Sequence, residues 1–214
     1  VLWVYIIKKH TKGNDRLESN SQEKHGHTAL SGEAEILGAL QETLRGHTAS
    51  FRIIVDRFTP LLFSLALKML GKREDAEEAV QEIFLKTYSS LPRFQLEKRF
   101  LPWLYTIALN HLRSHQRKRK RRRLIETMLP HEEMTATLID RSADDPATHL
   151  IREEAERLAQ RALLTLRFEY RAAYVLKTGF GFQVREIAGM MKIPEGTVKT
   201  YLFRARERLV TLLT

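Results

Sequence analysis

The spacing of apolar residues constrains this chain most. From about Glu33 to Arg123, and again from about position 150 onward, they recur at intervals of three and four. That is the repeat of a helix with one buried face. No stretch shows the period of two that a half-buried strand requires. The expected fold class is therefore all-α. Ala34, Leu37 and Leu44 share a stripe of a first helix, and Phe51, Val55 and Phe58 form the next. Thr59-Pro60 reads as a helix start, with Thr as N-cap and Pro in the first turn. LLFSLALKML then runs to Gly71, a suitable C-terminal cap. Ala76, Val80, Ile83, Phe84 and Thr87 give the helix from about Arg73 to Ser90 its inner face. Leu101, Leu104, Ala108 and Leu112 do the same for a long helix opened by Pro102 and ending near Arg123.

The helical pattern divides the chain. Residues 1–32 lack periodicity beyond position 10 and read as a flexible tail. Residues 33–123 form a first helical domain. Residues 124–149 carry six carboxylates against the single basic Arg141, with Pro130 and Pro146 as breakers, and read as a flexible acidic linker. Residues 150–214 form a second helical domain. The first methionine is Met69, so the expectation is a non-AUG start or a processed or truncated N-terminus, with an extension within residues 1–30 as a further alternative, and the opening segment carries little weight.

Composition narrows the function. Lys and Arg total 36 against 26 Asp and Glu, a net charge of +10. A balance this basic points to a polyanionic partner, either nucleic acid or an anionic membrane surface. The absence of cysteine excludes disulfides, thiolate metal sites and a cysteine nucleophile. The opening VLWVYII precedes KKH, the reverse of a signal peptide, and no apolar run approaches a bilayer span. The expectation is a cytoplasmic protein. No HExxH, phosphate-loop or GxSxG pattern occurs. The expectation is accordingly no catalytic residue, metal, cofactor or small-molecule substrate.

Four segments carry binding chemistry. In the last of the chain, Val184, Ile187, Ala188 and Met191 form a short amphipathic helix broken by Lys192-Ile193-Pro194. A second helix opens at Glu195, with Val198, Leu202, Ala205 and Leu209 as its inner stripe. This is the pattern of a helix-turn-helix. The opposite face presents Lys199, Thr200, Phe203 and Arg204. There Phe203 suits a thymine methyl and Arg204 a guanine edge. Arg117 to Arg123 are seven consecutive basic residues, with Arg113 one turn earlier. Charge that dense fits phosphate contact. Asp75, Glu78 and Glu82 line the face of their helix away from its apolar stripe. That face fits either a basic docking partner or a solvated surface. Finally, LPRFQLEKRFLPWLY interleaves basic and aromatic residues, as single-stranded DNA binding requires. Trp103 and Phe100 read as core, and Phe94 fits either the core or a base contact.

The order of these segments resembles the bacterial sigma-70 family, and within it the small extracytoplasmic-function (ECF) sigma factors. The stretch from FRIIVDRF to SHQRKRKRR resembles region 2, and the stretch from LLTLRFEYR to YLFRARERL resembles region 4. EDAEEAVQEIFLKTY and EIA…IPEGTVKTYLFRARERL are the most specific pieces. The resemblance implies a non-enzymatic factor that binds core RNA polymerase at its β′ clamp helices and β flap, and that binds promoter DNA. It also implies an anti-sigma partner. Asp75, Glu78, Gln81, Glu82 and Phe84 would face the clamp helices. Arg93, Phe94, Gln95 and Lys98 would take a flipped base of the −10 element. Asn110, Arg113, Arg117 and Lys118 would meet the upstream edge of the bubble. Lys199, Thr200, Phe203 and Arg204 would read the −35 element. The rival reading is a stand-alone helix-turn-helix regulator. Lys192 stands where the family has Gly at the turn, and a left-handed lysine there costs about 1 kcal/mol. Tyr201 replaces a usual Arg or Ser, and Leu166-Arg167 a usual Leu-Pro.

Overall fold

A computed structural model describes residues 33–126 and 157–213, with side chains to Arg122 and Leu212. The tail at 1–32 and residues 127–149 of the acidic linker lie outside the described residues. The described residues are helical, without a strand, and none of their helices is long and apolar enough to cross a membrane.

The described residues of the first half contain four α-helices. Helix α1 is Glu33–Leu44, with Glu33 and Glu35 in the first turn, where carboxylates complement the exposed N–H groups. Its buried residues are Ile36, Ala39, Leu40 and Thr43. The stripe expected from Ala34, Leu37 and Leu44 is thus rotated: Leu37 and Leu44 are exposed, at 37% and 40%. Ile36, Leu40 and Thr43 keep helical spacing and put the β-branched and larger side chains inside.

A short 3-10 turn, Thr48–Ser50, leads into α2, Phe51–Leu70. This is one continuous helix with Pro60 inside it. The helix start expected at Thr59-Pro60 does not occur. Pro60 removes one backbone donor, but Phe58, Leu62, Leu65 and Ala66 are buried on both sides of it, and that packing keeps the helix intact. The Thr59 hydroxyl donates back to the Val55 carbonyl at 2.6 Å instead of capping a new helix. Gly71 ends α2 at φ +80, the left-handed cap expected of it.

Helix α3, Arg73–Ser90, buries the predicted row of Ala76, Val80, Ile83, Phe84 and Thr87. A 3-10 turn, Leu91–Arg93, and a loop carry the chain to α4, Phe100–Glu126. At 27 residues α4 is about 40 Å long. It starts two residues before Pro102, and Leu104, Ala108 and Leu112 are fully buried.

In the second half, residues 157–165 form α5. Helix α6 is Phe168–Tyr174 and continues as a π-helical turn, Val175–Gly179. Helix α7 is Val184–Met191 and α8 is Glu195–Leu213. One hydrophobic core runs from Ile36 through Leu112 to Leu202 and so joins the two halves. A smaller cluster of Ala162, Leu166, Ala205 and Leu209 holds α5 to α8.

Candidate nucleic-acid interface

The helix-turn-helix is built as its sequence directs. Ile187, Ala188 and Met191 of α7 share a buried core with Val198 and Leu202 of α8. A capping box starts α7: the Gln183 N–H donates to Glu186 Oε2 at 2.8 Å, and the Gln183 side chain accepts in return. Lys192 ends α7 at φ 55 and ψ 48, the left-handed conformation that glycine adopts more easily. With α7 and α8 thus pinned, the outer face of α8 is fixed. Lys199, Thr200, Phe203 and Arg204 all lie exposed on it, Phe203 at 64%. The Thr200 hydroxyl donates to the Gly196 carbonyl at 3.0 Å, which leaves its lone pairs and methyl outward. Arg204 donates to Glu207 at 3.1 Å, a pair open to water on both sides. Tyr201 points elsewhere: its ring lies 5.2 Å from that of Tyr170 on α6. The tyrosine therefore packs the helix in place, where a shorter or charged residue would not.

The basic run divides in two. Arg117 and Lys118 are exposed on α4, as is Asn110 about two turns earlier. Arg119 turns inward, to Asp75 at 2.7 Å and the Leu70 carbonyl at 3.4 Å. Arg113 turns toward the second half. Its Nε lies 4.0 Å from Glu169, too far for a hydrogen bond, and its guanidinium stacks 5.3 Å from the centre of the Phe168 ring.

On α3, Glu78 and Glu82 are exposed, Gln81 is half-buried, and Asp75 is partly covered by Arg119. Phe84 is different. It lies wholly in the core, edge-on to Phe51 at 6.4 Å. It supports the acidic face from beneath and is no part of its surface. In the loop before α4, Arg93, Gln95 and Lys98 are exposed. Phe94 is buried, with its ring 4.7 Å from Trp103 and 5.6 Å from Phe100. The structure takes Phe94 into an aromatic cluster, so a base in this loop would meet Arg93, Gln95 and Lys98 first.

Three groups were not singled out by sequence reasoning. Lys86 of α3 donates to His111 Nδ1 at 2.7 Å. Burial first, then repulsion from Lys86 and His115 and a smaller one from Lys118, push His111 down to about 4, while Glu82 opposes them. A histidine that accepts from an ammonium must be neutral at that nitrogen, and the i, i+4 pair His111 and His115 was the available signal. Arg171 of α6 is almost wholly buried, and its Nε and Nη2 have no hydrogen-bond partner. Burial lowers it to about 10. No periodicity rule flags an arginine on an inner face. Lastly, Arg99 donates to Glu186 at 2.7 Å across the two halves. Among the described residues, no group of three side chains is placed to hold a metal ion.

The comparisons with known proteins agree with this geometry. The family model Sigma-70 region 2 matches residues 54–122, and the model Sigma-70, region 4 matches residues 156–209. The chain is 30% identical to the ECF RNA polymerase sigma factor SigW of Bacillus subtilis, over 83% of this chain and 96% of that protein. It is 27% identical to the RNA polymerase sigma-H factor of Pseudomonas aeruginosa, over 79% of this chain and 89% of that one. Among solved structures it is similar to the sigma factor RpoE of Bartonella quintana, crystallised with the anti-sigma factor NepR. That match has a TM-score of 0.60 at 26% identity and covers 76% of this chain and 96% of that chain. With both regions matched in order, and the helix-turn-helix built as described, the chain belongs to the ECF sigma factors of the sigma-70 family.

Proposed function

We propose that this sigma factor binds core RNA polymerase, brings it to promoters with paired −35 and −10 elements, and holds melted −10 bases while the polymerase performs the chemistry. The observation that carries this reading is the outer face of α8. Lys199, Thr200, Phe203 and Arg204 stand exposed on it, opposite a stripe of fully packed residues. At 64%, Phe203 is the most exposed of the large apolar side chains among the described residues. Between a lysine and an arginine, a thymine-bearing major groove is a fitting cover.

The remaining surfaces support the same reading. Glu78, Gln81 and Glu82 form an acidic strip on an otherwise basic molecule, suited to the clamp helices of the polymerase. Asp75 borders that strip. Arg93, Gln95 and Lys98 are suited to a −10 base, and Asn110, Arg117 and Lys118 to backbone phosphates upstream of it. Arg113 belongs to the same contact once released from Glu169. An anti-sigma protein is the expected inhibitory partner, since the structurally similar RpoE was crystallised with one.

The test is transcription. The purified protein is added to sigma-free core polymerase on fragmented genomic DNA, and the 5′ ends are sequenced. Discrete starts with shared paired elements support the reading. Starts no more frequent than with core alone, together with no core binding, refute it and leave a stand-alone duplex-DNA regulator as the better account.

A further inference from the structure

Helix α7 has an exposed face of its own, used neither by the core nor by the reading surface of α8. Ile187, Ala188, Met190 and Met191 are its buried residues. Arg185 and Gly189, one turn apart, are exposed on the other side, and exposed Lys192 closes the helix just beyond them. Residues three and four apart share a helix face, so these three form one outer strip. Its two ends are cationic and its middle has no side chain.

This strip departs from an ordinary solvated face. Glycine inside a helix weakens it relative to alanine, yet packing does not demand glycine here: a Cβ at Gly189 would meet nothing within 4 Å. Lys192 holds the left-handed conformation, φ 55 and ψ 48, where glycine would be the easier choice. The helix therefore has a bare position where a side chain would stabilise it and a cation where a bare position would. Other exposed arginines, such as Arg45, Arg52 and Arg204, pair with carboxylates. Among the described residues, no hydrogen bond or ion pair engages the side chain of Arg185 or of Lys192. Two uncompensated cations around a gap suit a polyanion that comes close to the helix backbone.

The position of α7 says which polyanion. In a helix-turn-helix the second helix lies in the major groove while the first crosses the DNA backbone. Lys192 stands three residues before Glu195, where the reading helix α8 begins. Arg185 lies about 10 Å further back along the axis of α7. We propose that Arg185, Gly189 and Lys192 form a saddle for one sugar-phosphate strand beside the −35 element. Each cation holds its own phosphate, and Gly189 admits the strand between them. The proposal rests on the promoter-binding reading and adds to it an affinity surface that carries no sequence preference. Stability is given up at Gly189 and Lys192, and grip on the duplex is gained.

The test titrates the holoenzyme with two duplexes, a promoter taken from the mapped starts and a duplex of unrelated sequence, across a range of salt. Arg185→Gln and Lys192→Gly should each reduce the slope of log affinity against log salt by about 1, and the double variant by about 2. Both duplexes should weaken alike, because phosphate contacts carry no sequence information. Lys192→Arg keeps the charge and should keep the slope. Gly189→Gln should raise the unfolding temperature yet weaken both duplexes severalfold, a combination that a purely structural role for Gly189 does not produce. Natural slopes in the double variant, with natural affinity in Gly189→Gln, would overturn the proposal. Arg204→Ala, measured alongside, separates this failure from that of the promoter reading. If Arg204→Ala loses its preference for the promoter while the α7 variants bind like the natural chain, the saddle alone fails. If Arg204→Ala is also without effect, the reading face of α8 fails with it. The unrelated duplex needs no mapped promoter, so the slopes are measured even where sequencing finds no starts.

Discussion

The Arg119 guanidinium lies 2.7 Å from the Asp75 carboxylate, so the third member of the basic run neutralises the start of the acidic helix. Two segments that read as opposite surfaces in sequence are stitched together at this point. Both side chains are about one-quarter exposed. Arg119 also reaches the Leu70 carbonyl near the end of α2. It thus ties three elements and is a structural arginine within a run proposed to face DNA.

The division of the run is measurable. Arg117→Gln should leave stability within about 0.5 kcal/mol and reduce the slope of log affinity against log salt by about 1. Arg119→Gln should lower stability by about 1 kcal/mol, for the loss of a partly buried pair, with little change in that slope. Denaturant titration and salt-dependent DNA binding by the holoenzyme measure the two effects. Equal slopes for the two variants would contradict the division.

On α8, Arg204→Ala should cost about 1–3 kcal/mol of −35 binding and relax preference at one base pair. Lys199→Ala should weaken all duplexes alike, as loss of a phosphate contact does. Competition binding against single-base variants of the −35 element distinguishes the two. A uniform loss for both would place Arg204 on the backbone.

Lys192 is the single non-glycine residue at positive φ among the described residues. Lys192→Gly should raise stability by about 1 kcal/mol, because the left-handed conformation no longer meets a Cβ. A β-branched residue there should lower it by more than a kilocalorie. Urea midpoints at constant m-value check both.

His111 makes the fold acid-sensitive in a defined window. The folded chain holds it neutral down to about pH 4, while the unfolded chain protonates it near pH 6.5. The unfolded state then binds more protons, so stability falls as pH drops from about 6.5 to about 4 and its contribution is level below that. His111→Gln should flatten this part of the stability curve relative to the natural chain. Superimposable curves would show that His111 is not the group involved.

Arg171 carries the opposite expectation from most buried residues. It is charged, buried, and lacks partners for two of its nitrogens. Replacing it by methionine should keep the volume and leave stability unchanged or raise it by about 1–4 kcal/mol. Calorimetry of the full chain reads the result directly, and a fall of more than a kilocalorie would reveal a partner for the guanidinium.

Most elements were legible because their information is local. The inner row of α3, the stripe of α8 and the cap at Gly71 each follow from residues within one or two turns of each other. Thr59-Pro60 misled because a helix-start signature is a weak preference, and burial of Phe58 and Leu62 on either side overrides it. The stripe of α1 was placed one residue off, since Leu37 and Ile36 compete and only the neighbouring helices decide between them. Phe94 is buried by contacts that periodicity does not report, whereas periodicity places Phe84 on the inner face of α3 and only the family resemblance sets it on the acidic surface. Least visible were the contacts between halves. Arg99 and Glu186 are 87 residues apart, and Gln160 and Leu67 are 93 apart. Neither pair has a local pattern that names its partner.

The shared core bears on how mutants of this protein should be classified. Ile187 and Leu104 belong to one cluster, although one lies in the helix-turn-helix and the other beneath the surface proposed for −10 DNA. A substitution that loosens α7 will loosen the support of α4, and the reverse. A screen that scores promoter use would then assign the same phenotype to lesions in either segment. Suppressors of a defect in one half should arise in the other, so genetic linkage between −35 and −10 phenotypes would report shared packing and not shared DNA contact.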